Sequence, residues 1–226
     1  MHQVIVWDFP TRAFHWLLVM ALIFQYVSGD ILDDAMQWHF YVGYFTLGLL
    51  VFRVVWGVVG HTYSRFTYFV CSPKTVFNYL QGQDTREYLT HNPVGALSTI
   101  ALLTLFLTQA VSGLFISDDI FYEGPWHSAA SDAMIDTANF LHGQMYILLM
   151  SIALIHVLAV LFYQFKKKQP LVQSMVHGKK PSVKAGHKPK PLNLLFALMV
   201  VALSAGALYL IVEVLPPPVE DSFYDY

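Results

Sequence analysis

The stretch TANFLHGQMYILLMSIALIHVLAVLFYQF, residues 137–165, decides the fold of this chain. It contains no Lys, Arg, Asp or Glu, and as one helix it is long enough to cross a hydrocarbon core about 30 Å thick. It also holds His142 and His156, and ionisable residues at membrane depth are costly and therefore functional candidates. The segment predicts a membrane-spanning helix that carries chemistry.

Four further stretches share this apolar character. The chain is 56% hydrophobic and 12% charged, whereas a soluble domain is about 25% charged. Uncharged or nearly uncharged stretches occupy residues 13–29, 35–64, 88–117 and 191–212. Because lipid offers no partner for unpaired backbone groups, each is expected to be helical, and Pro10 with Thr11 can begin the short first helix earlier. We predict an all-α integral membrane protein, a four-helix transmembrane bundle plus a fifth transmembrane helix at about residues 192–213.

The loops between these spans alternate in charge. The loops after the first and third spans and the C-terminal tail contain acidic residues but no Lys or Arg. The loop after the second span holds Arg65, Lys74 and Arg86, and the loop after the fourth holds eight lysines and no acid. Basic loops mark the cytoplasmic side of a membrane. We therefore predict a multi-pass protein of the bacterial inner (plasma) membrane, with its N-terminus cytoplasmic and its C-terminus periplasmic.

Four histidines lie in or at the ends of the spans and form two pairs by depth. His142 and His156 are fourteen positions apart, which is about 21 Å along a helix and about 40° around it. His15 lies at the inner start of the first span and His39 at the outer start of the second. The depths therefore pair His15 with His156 and His39 with His142. One intramembrane histidine can be merely structural, but two pairs at two depths favour ligands.

Two pairs of histidines suit two six-coordinate haems, because imidazole is an axial ligand of haem iron. Zinc would require thiolate or carboxylate ligands nearby, and the spans offer no acid at either depth. The single cysteine, Cys71, excludes an internal disulfide and a C-x-x-C-H attachment of c-type haem. We predict two haem b groups, each holding one iron, as cofactors.

Three further residues are candidate haem contacts. Arg53 follows His39 by fourteen positions and lies at the inner depth, where it either pairs with a haem propionate or snorkels to the interface. Gly43 and Gly113 either let a porphyrin approach the backbone or serve helix packing. The remaining histidines are expected to be solvated surface residues: His2, His61, His91, His127, His177 and His187.

The segments around these residues form a set of motifs. They are VWDFPTRAFHW at 6–16, H-x-x-x-G at 39–43, FRVVWG at 52–57, FYEGPWHS at 121–128, LHG at 141–143, IHVLAV at 155–160 and LVQSMVHGKK at 171–180. Over about residues 5–180 the chain resembles the bacterial cytochrome b561 family, a group related to the b subunits of nickel–iron hydrogenases. The resemblance implies a four-helix bundle that binds two haems b through histidines on its first, second and fourth helices. Those positions fall on His15, His39, His142 and His156.

The resemblance also implies a function. Residues 1–180 would form the di-haem domain, and residues 181–226 a basic linker, the fifth helix and an acidic tail. Family members exchange electrons with membrane quinone and a redox partner, so the leading prediction is electron transfer between the quinone pool and the periplasmic face. Expected partners are membrane lipid, quinone and a periplasmic c-type cytochrome or other redox protein, but not nucleic acid. Trp7, Arg12 and Trp16 are candidate quinone contacts.

Two alternatives remain at this point. One branch of the family oxidises superoxide and reduces ubiquinone, which would make the chain an enzyme, a superoxide:ubiquinone oxidoreductase. The acidic outer loops would repel superoxide and argue against this activity. An alternative of another class is a haem-free transporter that uses its membrane histidines as a proton relay. Whether the chain is an enzyme depends on this choice.

Overall fold

The computed structural model describes residues 2–182 and 193–218, and five helices within that part are long and apolar enough to cross a membrane. The helices in chain order are α1 Phe9–Asp30, α2 Met36–Val59, α3 Phe66–Phe69, α4 Pro73–Leu80, α5 Pro93–Ser112, α6 Asp132–Phe165, α7 Leu171–His177 and α8 Leu194–Tyr209. A π-helical turn, Leu210–Val214, extends α8. The spanning helices are α1, α2, α5, α6 and α8 with its extension. The predicted helical membrane fold is thereby confirmed.

Capping residues set where the spans begin. The side chain of Asp8 accepts a hydrogen bond from the backbone N–H of Thr11 at 3.0 Å and caps α1. Asn92 caps α5 in the same way, accepting from the N–H of Gly95 at 2.8 Å. Proline follows shortly after each cap, where its missing N–H costs nothing. The first span therefore begins at Phe9, earlier than its charge pattern alone indicates.

Two strands tie the N-terminus to the segment after α7. Strand β1, His2–Ile5, pairs antiparallel with strand β2, Lys179–Ser182. Gly178 separates α7 from β2 with φ of +82°, and a Cβ there would lie 2.5 Å from the carbonyl oxygen of Trp7. Only glycine is tolerated at such a position. This strand pair was not predicted, because neither four-residue segment has the alternating pattern of a strand.

The fifth helix packs along the outside of the bundle against α2. A Cβ added to Gly48 would lie 2.9 Å from Leu208, so the two helices approach closely. The rings of Trp56 and Phe196 are 6.0 Å apart, and the indole of Trp126 donates to the carbonyl of Ile211 at 2.9 Å. The buried core runs between the spans and comprises Phe14, Leu18, Leu50, Phe52, Trp56, Leu105, Phe106, Leu149, Ala197 and Val200.

The two ends of the bundle differ in charge. We call the end formed by loops 31–35 and 113–131 the acidic end, which is the predicted periplasmic side. We call the end formed by loops 60–92 and 166–182 the basic end, which is the predicted cytoplasmic side. The lysines of the predicted linker beyond residue 182 and the acids of the C-terminal tail lie outside the described residues.

Replacing Asp8 by alanine should destabilise the protein by about 2–3 kcal/mol. Asp8 is 5% exposed, caps α1, and accepts a hydrogen bond from the indole N–H of Trp56 at 2.9 Å. Alanine would remove the cap and leave a buried donor without a partner. The thermal unfolding midpoint in detergent measures this loss. Asp33→Ala, in an exposed loop position, is the matched control and should leave the midpoint unchanged.

Candidate functional site

The acidic end brings together one of the predicted histidine pairs. His39, in the first turn of α2, faces His142 of α6, with ring centroids 6.2 Å apart and planes inclined at 66°. When two imidazoles bind one metal ion, each metal–nitrogen bond is about 2 Å and each ring centre lies roughly 1 Å beyond its nitrogen. The two ring centroids are then about 6 Å apart. The separation therefore fits two imidazoles on opposite sides of one metal ion.

Hydrogen bonds define which nitrogen of each ring is free. Nδ1 of His142 lies 3.1 Å from the carbonyl oxygen of Gln109 and 3.1 Å from Oγ of Ser112. Nδ1 of His39 lies 3.2 Å from Oγ of Ser28, and the Gln25 backbone is also a partner. Because a carbonyl oxygen can only accept, Nδ1 carries the proton and Nε2 keeps its lone pair. This tautomer is the one that an Nε2 metal ligand requires.

A cavity of about 320 Å³ surrounds this pair, between α1, α2, α5 and α6. Apolar side chains form much of its wall, among them Leu22, Phe106, Ala110, Leu149 and Met150. The side chains of Gln25 and Gln109 also line it, and the buried Oε1 atom of each has no hydrogen-bond partner. A largely apolar cavity with a few convergent polar groups is typical of a cofactor site. The lining therefore fits a haem.

Glycines line the same cavity where side chains approach the helix backbone. The predicted haem contacts Gly43 and Gly113 are both in its wall. A Cβ at Gly113 would lie 3.3 Å from Cε1 of His142, and one at Gly43 would lie 3.2 Å from the amide nitrogen of Gln25. Gly29, which sequence reasoning missed, is tighter, because its Cβ would lie 3.0 Å from Cε1 of His39. Contact of Gly43 and Gly113 with a porphyrin stays a prediction.

Replacing Gly29 by alanine should weaken haem retention at the acidic end about tenfold. The added methyl would push the His39 ring away from its position, and overpacking of this kind costs about 1–3 kcal/mol. The haem content of purified protein during thermal release measures the effect. Gly206→Ala is the control, since this glycine of α8 does not line the cavity and a Cβ there meets nothing within 4 Å. Equal retention in the two variants would contradict the expectation.

The second predicted pair lies toward the basic end. His15 of α1 and His156 of α6 are close enough to interact electrostatically. Nδ1 of His15 is buried and has no hydrogen-bond partner. The structure places the rings of His39 and His142 in contact, whereas His15 and His156 interact only electrostatically, so their pairing as ligands stays a prediction.

Arg53 is buried in α2, at 4% exposure, and its guanidinium lies 4.8 Å above the ring of Phe66. It therefore does not snorkel to the interface, which removes one of its two predicted roles. Its Nη1 is buried without a hydrogen-bond partner, and it makes no ion pair with any residue that the structure describes. A buried, unpartnered guanidinium nitrogen fits an anionic group such as a haem propionate.

The prediction that His91 is a solvated surface residue is wrong. Its ring is half-buried, and the centroid of the ring lies 5.0 Å from that of Trp7 and 4.5 Å from that of Phe69. Burial, followed by the charges of Arg53 and the basic-end histidines, lowers the pKa of His91 to about 3. His91 is therefore neutral at physiological pH. Sequence reasoning missed this position because the N-terminal segment and α3 fold over the loop that carries it.

A comparison with protein families supports the same chemistry. A family model described as prokaryotic cytochrome b561 matches residues 6–178, a range that contains all four paired histidines and excludes α8. A comparison with curated proteins found no match. The family binds haem b within a helical membrane bundle. With most of its length matched, the chain belongs to the prokaryotic cytochrome b561 family and is a membrane b-type cytochrome in electron transfer.

Proposed function

We propose that this chain is a di-haem cytochrome that transfers electrons between membrane quinone and a redox protein at its acidic, periplasmic end. The observation that carries the proposal is the His39–His142 pair, whose 6.2 Å separation fits one iron, together with a second histidine pair at the other end. Haem iron supplies one-electron chemistry when bound. His39 and His142 would hold one haem, and His15 and His156 the other, in a domain that spans residues 1–180.

The spacing of the pairs supports transfer across the bilayer. His142 and His156 lie on the same helix, and fourteen positions correspond to about 21 Å of a hydrocarbon core about 30 Å thick. Arg53 lies at the depth of His156, and its Nη1 has no hydrogen-bond partner. It would therefore neutralise a propionate of the basic-end haem. Much of the wall around the ligand rings is apolar, as suits a porphyrin.

The charge of the acidic end supports a basic redox partner. Asp30 and Asp118 line the cavity that holds His39 and His142, so the acidic surface begins at the proposed haem site. The exposed acids at this end are Asp30, Asp33, Asp34, Asp119, Glu123, Asp132 and Asp136. Such a field steers a positively charged partner toward the site, as expected for a basic c-type cytochrome.

Quinone is proposed to bind at the basic end. Arg12 and Trp16 both donate hydrogen bonds to carbonyls of α7, so they hold that helix in place. Trp7 packs against His91, which also lines a cavity of about 390 Å³ together with Phe69. We propose this cavity as the quinone-headgroup site. It combines aromatic walls with the imidazole of His91, and His91 interacts electrostatically with His15 and His156. Trp7 would then contribute through His91.

Anaerobic addition of decylubiquinol to the purified protein tests the proposal. We expect rapid appearance of the reduced haem b spectrum, then reoxidation by a basic c-type cytochrome at a rate that falls with rising salt, since exposed charges are screened. Failure of quinol to reduce the protein and of quinone to oxidise it would contradict the proposal. No observation favours superoxide oxidation, and membership of a haem b family argues against the haem-free transporter.

A further inference from the structure

Two segments of the chain share the pattern Q-x-V-S-G. QYVSG occupies residues 25–29 near the end of α1, and QAVSG occupies residues 109–113 at the end of α5. The helix that spans next in each case contains one acidic-end histidine, His39 in α2 or His142 in α6. The hairpins α1–α2 and α5–α6 therefore carry the same residues in the same order.

The two serines make matching contacts. Oγ of Ser28 lies 3.2 Å from Nδ1 of His39, and Oγ of Ser112 lies 3.1 Å from Nδ1 of His142. Each hydroxyl also donates to the carbonyl oxygen of the glutamine three positions earlier, at 3.4 Å and 3.1 Å respectively. Both serines are buried, at 1% and 4% exposure. Each histidine therefore has the same hydroxyl and the same backbone group on its Nδ1 side.

The glycine that ends each pattern also plays the same part in both hairpins. A Cβ at Gly29 would lie 3.0 Å from Cε1 of His39, and one at Gly113 would lie 3.3 Å from Cε1 of His142. A side chain at either position would push against the ring. The absence of one lets the imidazole lie close against the helix that carries the pattern.

We propose that the two Q-x-V-S-G segments are a matched pair of positioning elements for the acidic-end histidines. In each, the serine hydroxyl and the glutamine carbonyl accept hydrogen bonds from Nδ1–H, and the glycine leaves space for the imidazole ring. The Nε2 atoms of His39 and His142 would then face the cavity from opposite sides. This inference rests on the proposed function, because it takes His39 and His142 as haem ligands. Ser28 and Ser112 touch no reacting atom and act through the histidines.

The arrangement has an electrochemical consequence. Oxygen atoms that accept from Nδ1–H make the imidazole a stronger donor, which favours the oxidised iron that it would bind. Ser28→Ala and Ser112→Ala should each raise the midpoint potential of the acidic-end haem, and by equal amounts. Because the glutamine carbonyl remains, we expect about a threefold change in the reduction equilibrium constant, which is about 28 mV at 59 mV per tenfold change for one electron. The basic-end haem should not shift.

Redox titration of the purified holoprotein, followed by its haem b absorbance, is the test. Ser151→Ala is the matched control, since this exposed serine of α6 donates to the carbonyl of Ile147 and does not line the cavity. Ser28→Thr and Ser112→Thr keep the hydroxyl and should restore the wild-type potential. Should the alanine variants lose the acidic-end haem, its retention in the threonine variants still supports the proposal.

The outcomes separate this inference from the function on which it rests. Potentials that match the Ser151→Ala control, with two haems retained, overturn the positioning role and leave the proposed function intact. A shift in only one of the two alanine variants overturns the matched pair. Loss of the acidic-end haem from the threonine variants as well as the alanine variants overturns the role of the hydroxyl. A wild-type protein without two haems overturns the proposed function itself.

Discussion

Replacing His39 by alanine should give a protein that retains one haem b per chain in place of two. The ring of His39 lies 6.2 Å from that of His142, so the variant removes one of two ligands that approach a single position. The apolar cavity alone offers no other nitrogen ligand, since its remaining lining holds no histidine. Pyridine haemochrome spectra with protein determination measure the ratio, and His142→Ala should give the same result.

His127→Ala is the control for this experiment. His127 also lies at the acidic end, but it is 3.5 Å from Glu123 and does not line the cavity, so its loss should leave two haems. Retention of two low-spin haems in the His39→Ala protein would contradict the ligand assignment. The potential of the single haem left in that protein also identifies the basic-end haem in redox titrations.

Replacing His156 by alanine should remove the other haem and stop electron transfer across the bilayer. The level of His156 lies about 21 Å from that of His142, so the bundle would keep an electron carrier at one depth only. Proteoliposomes with trapped quinol and external oxidised c-type cytochrome measure the transfer. We expect the rate to fall to that of liposomes without protein, while the haem at the acidic end is still bound.

His91→Ala is the informative comparison for the basic end. His91 is half-buried near Arg53, His15 and His156, and its Nδ1 has no partner. Under the proposed ligand assignment the His91→Ala protein keeps two haems, and only quinol oxidation slows. If His91→Ala removes the basic-end haem and His156→Ala does not, then His91 is the ligand and the depth pairing is wrong.

The features that could be predicted from the sequence are mostly those that the membrane imposes, namely the spanning helices and the depths of the residues on them. The absence of charge over residues 137–165 identified α6, and the depths of its two histidines led to both pairs. Pro10 and Thr11 indicated that the first helix begins before its uncharged stretch, and the Asp8 cap confirms this earlier start. Membership of the cytochrome b561 family followed from motifs distributed over the same helices and is confirmed.

Features that depend on distant parts of the chain could not be predicted. The β1–β2 pair joins residues near the N-terminus to the segment after α7, and nothing in either segment reveals its partner. The burial of His91 depends on Trp7 and Phe69, which come from two different segments. The Q-x-V-S-G repeat is visible in the sequence, but its meaning depends on both serines facing a histidine of the following span.

Arg53 shows how the structure narrows alternatives that the sequence leaves equal. Depth alone allowed either a propionate partner or an interfacial position. The packing of α2 against its neighbours encloses the side chain at 4% exposure, over the Phe66 ring. That burial rules out an exposed position and leaves Nη1 without a hydrogen-bond partner, which fits an anionic group, and contact with a propionate stays a prediction.

The count of haem b per chain tests the central claim most directly. A reduced-minus-oxidised pyridine haemochrome spectrum of the detergent-purified protein, expressed with ample haem, gives this number. The pairing of His39 with His142 and of His15 with His156 predicts two haems b per chain. A single haem would contradict one of the two pairs, and the absence of haem would contradict the electron-transfer function as a whole.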